Sequence, residues 1–167
     1  MKRIHENLYL FSIYIPPMDF TIHQYLLASD PAILFATGTA QQAKEILPQI
    51  QNILGGRELK YIFISHMESD EEGGIFVFRQ AYPGVIVICG SLAAHELPGW
   101  GYDGAVEIKS GRDELNDGGL SLSFVDYPSE VHDQNGIICF EKKSGIAYSA
   151  DLLLRYGDGV GKTLKAS

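Results

Sequence analysis

The sequence predicts an α/β fold: one domain over residues 1–167, built from two packed β-sheets with helices outside, the sandwich incomplete at its C-terminal side. Three observations predict it. Strand-like apolar runs stand at both ends of the chain, with strand–helix–strand alternation between them. No linker, low-complexity tract or internal repeat divides the 167 residues, a length that suits one domain. The last strand-like run ends at Ala150, close to the final residue, Ser167.

The first third reads as an antiparallel meander. Leu8–Ile15, Ile22–Ala28 and Ala32–Ala36 are apolar runs punctuated by Pro16-Pro17 and Asp30-Pro31. Thr39–Leu54 is the clearest helix, with Thr39 as N-cap and Gly55-Gly56 as its stop. Pro48 inside it predicts a kink near Ile46. Tyr61–Ser65 is a short buried strand, and Glu71–Tyr82 reads as a helix whose opening acids suit the positive end of the helix dipole. Val85–Cys89 is a further buried strand and Leu92–Leu97 a short helix. From Ala105 onward, AVEIK, LSLSFVD, GIICFE and GIAYSA read as strands joined by Gly-rich or charged turns.

Composition narrows the class. Hydrophobic residues make up 46% and charged residues 20%, which excludes a disordered chain. No apolar run approaches the roughly 20 residues of a membrane helix. Twenty-one acidic against 13 basic side chains give a net charge of −8, the reverse of a nucleic-acid binder's balance. Cys89 and Cys139 lie in apolar runs, as reduced core thiols do, and the N-terminus lacks an apolar signal-peptide core; a cytoplasmic location is expected.

The chemically informative stretch is His66-x-Glu68-x-Asp70, directly after a buried strand. On an extended segment, side chains at alternate positions share a face, so the three can converge. Imidazole and carboxylates at such a mouth bind a cation or do acid–base work; alternatively, an acidic loop merely caps the next helix. Two later features favour a site. His132 stands in the loop after Phe124-Val125-Asp126-Tyr127-Pro128, and Asp151 follows the strand-like run Gly145–Ala150. Polar clusters at three strand exits can meet at one sheet edge.

The segments YIFISHMESDEEGG, LSFVDYPSEVHDQNGIICF and GIAYSADLL together resemble the metallo-β-lactamase fold, and within it the diiron domain of flavodiiron proteins, which are oxygen and nitric oxide reductases. The resemblance covers roughly residues 1–155. It implies an αββα sandwich. It also implies His66, Glu68 and His132 as ligands of a first iron, Asp151 as a carboxylate bridging two metals, and Asp70 on the second. Ordinary lactamase-fold hydrolases carry His where Glu68 stands. Two imidazoles with a carboxylate suit non-haem iron, and the carboxylate hardens the site toward iron or manganese over zinc.

Two departures concern the second metal. The family has His directly after the motif's Asp; here Glu71 stands there, a carboxylate that could bind a metal in its place. The family's last His has no counterpart, since no His follows His132. One tightly held metal per chain is therefore expected, with the second position weak or empty. The flavodoxin module that binds FMN has no counterpart in these residues, so electrons would come from a separate redox partner protein; a homodimer could supply the absent ligand.

The leading expectation is thus an iron-binding oxidoreductase-type protein that binds or reduces a diatomic. The rivals are a metal-dependent hydrolase using metal-bound hydroxide, and a non-catalytic sensor or scaffold with one metal or none. Other signals carry less. GDGVGKT at 157–163 is one residue short of a phosphate-binding loop, with Tyr156 where its first Gly belongs. His5, His23 and His95 read as structural, Trp100 and Tyr102 as packing residues, and no G-x-S-x-G elbow supports a serine hydrolase.

Overall fold

The structure is a computed structural model that describes residues 1–127, 129, 135–153 and 156–160. Seven strands form the first sheet in chain order: β1 (Lys2–Arg3), β2 (Leu8–Ile15), β3 (Phe20–Leu27), β4 (Ala32–Phe35), β5 (Leu59–Phe63), β6 (Ile86–Cys89) and β7 (Ala105–Ile108). Strands β1 to β4 pair antiparallel, and β4 to β7 pair parallel. Four antiparallel strands form the second sheet: β8 (Glu114–Asp117), β9 (Leu120–Tyr127), β10 (Gly136–Glu141) and β11 (Ile146–Tyr148), in the order β11-β10-β9-β8.

The change from antiparallel to parallel follows from the connections. A tight turn can join only antiparallel neighbours, whereas a parallel pair needs a crossover. Those crossovers hold α1 (Ala40–Leu54), α2 (Ile75–Ala81) and α3 (Ser91–Glu96). All three helices bury their apolar side on one face of the first sheet, where Ala43, Ile46, Ile50, Ile75, Phe78 and Ala93 meet Leu34, Ile62, Ile64 and Val87. The opposite face packs on the second sheet, through Ile33, Phe35, Phe63 and Ile88 against Leu122, Phe124, Ile137 and Cys139. The layers are helix, sheet, sheet. Among the described residues no helix covers the outer face of the second sheet, where Val125 and Phe140 are exposed.

The clearest local signals behave as chemistry dictates. The Thr39 hydroxyl accepts from the Gln42 amide while the Gln42 side chain accepts from the Thr39 amide, a reciprocal cap. At the other end Gly55 takes the left-handed conformation (φ 60°) that stops the helix. The helix runs unbroken across Pro48, an exposed residue, so the backbone carbonyl it deprives of a partner can turn to water.

One expectation is corrected, and one strand is added. The helix expected from Glu71 begins four residues later, at Ile75, because residues 69–74 form turns. Gly73 and Gly74 pass so near their neighbours that a Cβ would lie 2.3 Å from the Ser69 carbonyl oxygen or 2.4 Å from Ala43 Cβ. A strand missed from sequence, β8, has one buried side chain, Leu115, among polar neighbours. AVEIK is the strand expected there, and as β7 it pairs parallel with β6 in the first sheet.

Candidate metal centre

His66 follows β5 at the carboxyl ends of the parallel strands, where side chains of successive crossovers gather. It is 1% exposed, and neither ring nitrogen has a hydrogen-bond partner among the described residues. Its Nε2 lies 3.7 Å from Glu68 Oε2 and 3.6 Å from Asp151 Oδ2. Those separations are too long for hydrogen bonds. They leave room for a cation to lie between the imidazole nitrogen and the two carboxylate oxygens. One donor atom from each of the three residues lies within 4.8 Å of the others.

The extended geometry expected for His66-x-Glu68-x-Asp70 does not form: strand β5 ends at Phe63, and residues 66 and 67 form a bend. The Glu68 carbonyl accepts from the amides of Glu71 (2.8 Å) and Glu72 (3.1 Å), so the chain turns there. Asp70, in the turn that follows, is not in the group formed by His66, Glu68 and Asp151, but it lines the neighbouring cavity with Asp151. Asp151 reaches the site from a 3-10 turn, Ala150–Leu153, just after β11. Ala150 holds φ +43°, a strained value for a residue with a Cβ, where the chain bends to present Asp151. The second sheet is seated at the same place: Ile137 N–H donates to the Ser65 carbonyl at 3.1 Å. His132 lies outside the described residues.

Glu71 does not join the cluster. Its Oε1 accepts from the Tyr148 hydroxyl at 2.5 Å, and its Oε2 accepts a long bond from the Ser65 amide at 3.4 Å. Burial pushes its carboxyl up to about 8, which the Tyr148 hydrogen bond only partly reverses and the Asp70 charge reinforces. Burial likewise pushes Glu72 up to about 7 and raises Asp70. Asp151 is raised by burial, with His66 opposing and the charges of Asp70 and Glu68 adding. Crowded, dehydrated carboxyls of this kind are what a cation relieves.

A cavity of about 430 Å³ adjoins the centre. Tyr25, Phe35 and Tyr148 line it together with aliphatic residues and with Asp70, Glu71 and Asp151, so acids and apolar side chains share its wall. His23 also lines it, but its Nδ1 pairs with Ser12 Oγ (2.8 Å) and burial lowers its pKa, a structural role. Elsewhere, Tyr102 is buried and Trp100 exposed, and His5 and His95 lie on the surface. Of the glycine-rich 157–163 segment, Gly157 and Gly159 are tied by hydrogen bonds to Thr21; residues 161–163 lie outside the described residues.

A helix-backed pair of sheets with imidazole and carboxylates at the strand ends defines a metallo-β-lactamase-like protein of the kind found in flavodiiron cores. The ODP family beta lactamase family matches residues 20–162, and the chain belongs to that family. The chain is similar to diflavin flavoprotein A 1 of Synechocystis sp., 24% identical over 135 residues, which is 79% of this chain and 23% of that protein. It also resembles the solved rubredoxin oxygen:oxidoreductase of Desulfovibrio gigas (TM-score 0.73, 20% identity, 84% of this chain and 38% of that one). The flavodiiron protein of Giardia intestinalis is similar as well (TM-score 0.76, 14% identity, 89% and 39%). The chain thus spans about a quarter of its curated relative and two-fifths of these structures.

The sequence pattern pointed to His66, Glu68 and Asp151. It missed Tyr148, whose place three residues before Asp151 was the one available signal, because a tyrosine in a strand reads as core. Among the described residues no helix is long and apolar enough to cross a membrane.

Proposed function

We propose that this chain binds iron through His66, Glu68 and Asp151, with His132 as a further ligand, and there binds or reduces O₂ or NO with electrons from a separate protein. The observation that carries this reading is the His66 ring, buried with both nitrogens unpartnered and two carboxylates 3.6 and 3.7 Å away. Burying such groups without partners costs about 1–3 kcal/mol each, and a metal bond would offset it. One nitrogen and two carboxylate oxygens suit iron or manganese better than zinc. Membership of the family and similarity to proteins called flavodiiron and oxygen:oxidoreductase support the same reading.

Iron, when bound, would supply an open coordination position and redox chemistry. His66 would fix its position from the core side, where packing holds the ring. Glu68 and Asp151 would neutralise its two positive charges, Asp151 on the side facing the cavity. Tyr25, Phe35 and Tyr148 would keep that side poor in water.

Metal analysis of protein purified without added metal tests the proposal, beside His66→Ala and an NO-binding difference spectrum of the iron form. Bound iron that His66→Ala loses, and an NO-dependent spectrum, are expected. Full zinc occupancy with esterase or lactamase turnover would instead establish the hydrolase reading. Undiminished metal in His66→Ala would show the centre to be elsewhere.

A further inference from the structure

We infer that Tyr148 withholds Glu71 from metal, so that the centre takes one ion and a second position beside it stays closed. This rests on the metal reading above. A second ion next to Asp151 would draw on Asp70 and Glu71, the acids that line the cavity with it. Among the described residues neither belongs to a cluster of three metal-capable side chains with donor atoms within 4.8 Å; His66, Glu68 and Asp151 form that cluster. The donors among the described residues do not fit a second ion.

The reason lies in how Glu71 is held. Its backbone N–H donates to the Glu68 carbonyl at 2.8 Å, and its carbonyl accepts from the Thr37 amide (2.7 Å) and hydroxyl (2.8 Å). Its carboxylate accepts from Tyr148 on one oxygen and from the Ser65 amide on the other. On Oε1 the Tyr148 O–H occupies one lone pair, and its positive end opposes a cation that approaches from the same side. Nor can Tyr148 readily withdraw. Its ring stacks on Phe35 (centroids 5.6 Å apart) and meets Phe63 (5.9 Å) and Tyr25 (6.0 Å) edge-on. Moving the hydroxyl means unpacking three aromatic neighbours, whose edge and stacking contacts favour the present arrangement. Thus a residue in the metal-binding turn is committed to a structural partner on β11.

Tyr148→Phe keeps the ring and removes the O–H, so it separates packing from the hydrogen bond. Manganese(II) titrations followed by electron paramagnetic resonance count the ions and detect spin coupling between neighbours. The wild type should bind one ion per chain with an uncoupled spectrum. Tyr148→Phe should gain affinity for a second, spin-coupled ion on the order of tenfold, the equivalent of one neutral hydrogen bond. Tyr148→Phe with Glu71→Gln should return to one. Two ions of similar affinity in the wild type overturn the inference even if the variants fail to fold. So does a folded Tyr148→Phe protein that still binds one ion only. A wild type that binds no ion overturns the metal reading itself, and this inference with it.

Discussion

Gly136 is where the second sheet touches the backbone that carries the His66–Glu68 turn, and Gly136→Ala tests that contact directly. A Cβ built there lies 2.0 Å from the Ser65 carbonyl oxygen, 2.9 Å from its carbon and 3.1 Å from His66 Cβ. Ordinary contact starts at 3.4 Å, so β10 and the β5 exit must part by more than an ångström. The obstacle is backbone, which no rotamer change can clear. Overpacking of this sort costs about 1–3 kcal/mol. Parting the segments also stretches the Ile137 N–H bond to Ser65, and leaving that buried donor unpaired adds about 1–3 kcal/mol. The expected loss is about 2–6 kcal/mol in urea unfolding of metal-free protein, read from the midpoint at constant slope. Metal affinity should fall too, because His66 moves with Ser65. Gly84→Ala, where an added Cβ meets nothing within 4 Å, serves as the control and should stay within about 0.5 kcal/mol. A Gly136→Ala protein as stable as that control would refute the argument that this contact sets the spacing of the two sheets.

Two further outcomes are expected. Thr39→Ala should lower stability by about 1 kcal/mol through loss of the reciprocal cap of α1, with metal content unchanged; chemical denaturation checks the first and metal analysis the second. Glu141→Gln should cost about 2 kcal/mol at pH 7, since its carboxylate accepts from the amides of Ser144 (2.7 Å), Ser121 (3.1 Å) and Lys143 (3.2 Å) and from the Ser144 hydroxyl. Burial alone would raise the Glu141 pKa, but these bonds outweigh it and hold the pKa below its usual value. Its contribution is therefore full above the unfolded-state pKa and disappears as pH falls through the lower folded one. The stability gap between wild type and Glu141→Gln should close on acidification below about pH 4; a gap that widens there would contradict the assignment.

Legibility in the sequence followed the range of the interactions involved. The helix Thr39–Leu54 could be read almost to the residue, because its cap and its stop are local chemistry. Leu8–Ile15 likewise declared itself as one apolar run. The start of α2 did not: acids at 71 and 72 suit a helix N-terminus, but Glu71 is taken by Thr37 and Tyr148, partners 34 and 77 residues distant. Strand β8 was hidden because one buried leucine makes no pattern. At the centre, His66 and Glu68 were visible from their position after a strand, and Asp151 from the end of another. The turn after Glu68 was not, since it depends on two amides converging on one carbonyl.

The two cysteines occupy different layers, and that gives the molecule a pair of natural reporters. Cys89 is sealed beneath the helices, Cys139 between the sheets, and both are free thiols. Burial pushes Cys89 up to about 12 and Cys139 up as well, so neither forms a reactive thiolate in the folded state. Alkylation therefore has to wait for an opening that exposes the sulfur. Modification of Cys89 ahead of Cys139 would time the lifting of the helical layer, and the reverse order the separation of the sheets. Equal rates would mean that both layers come apart in a single cooperative event.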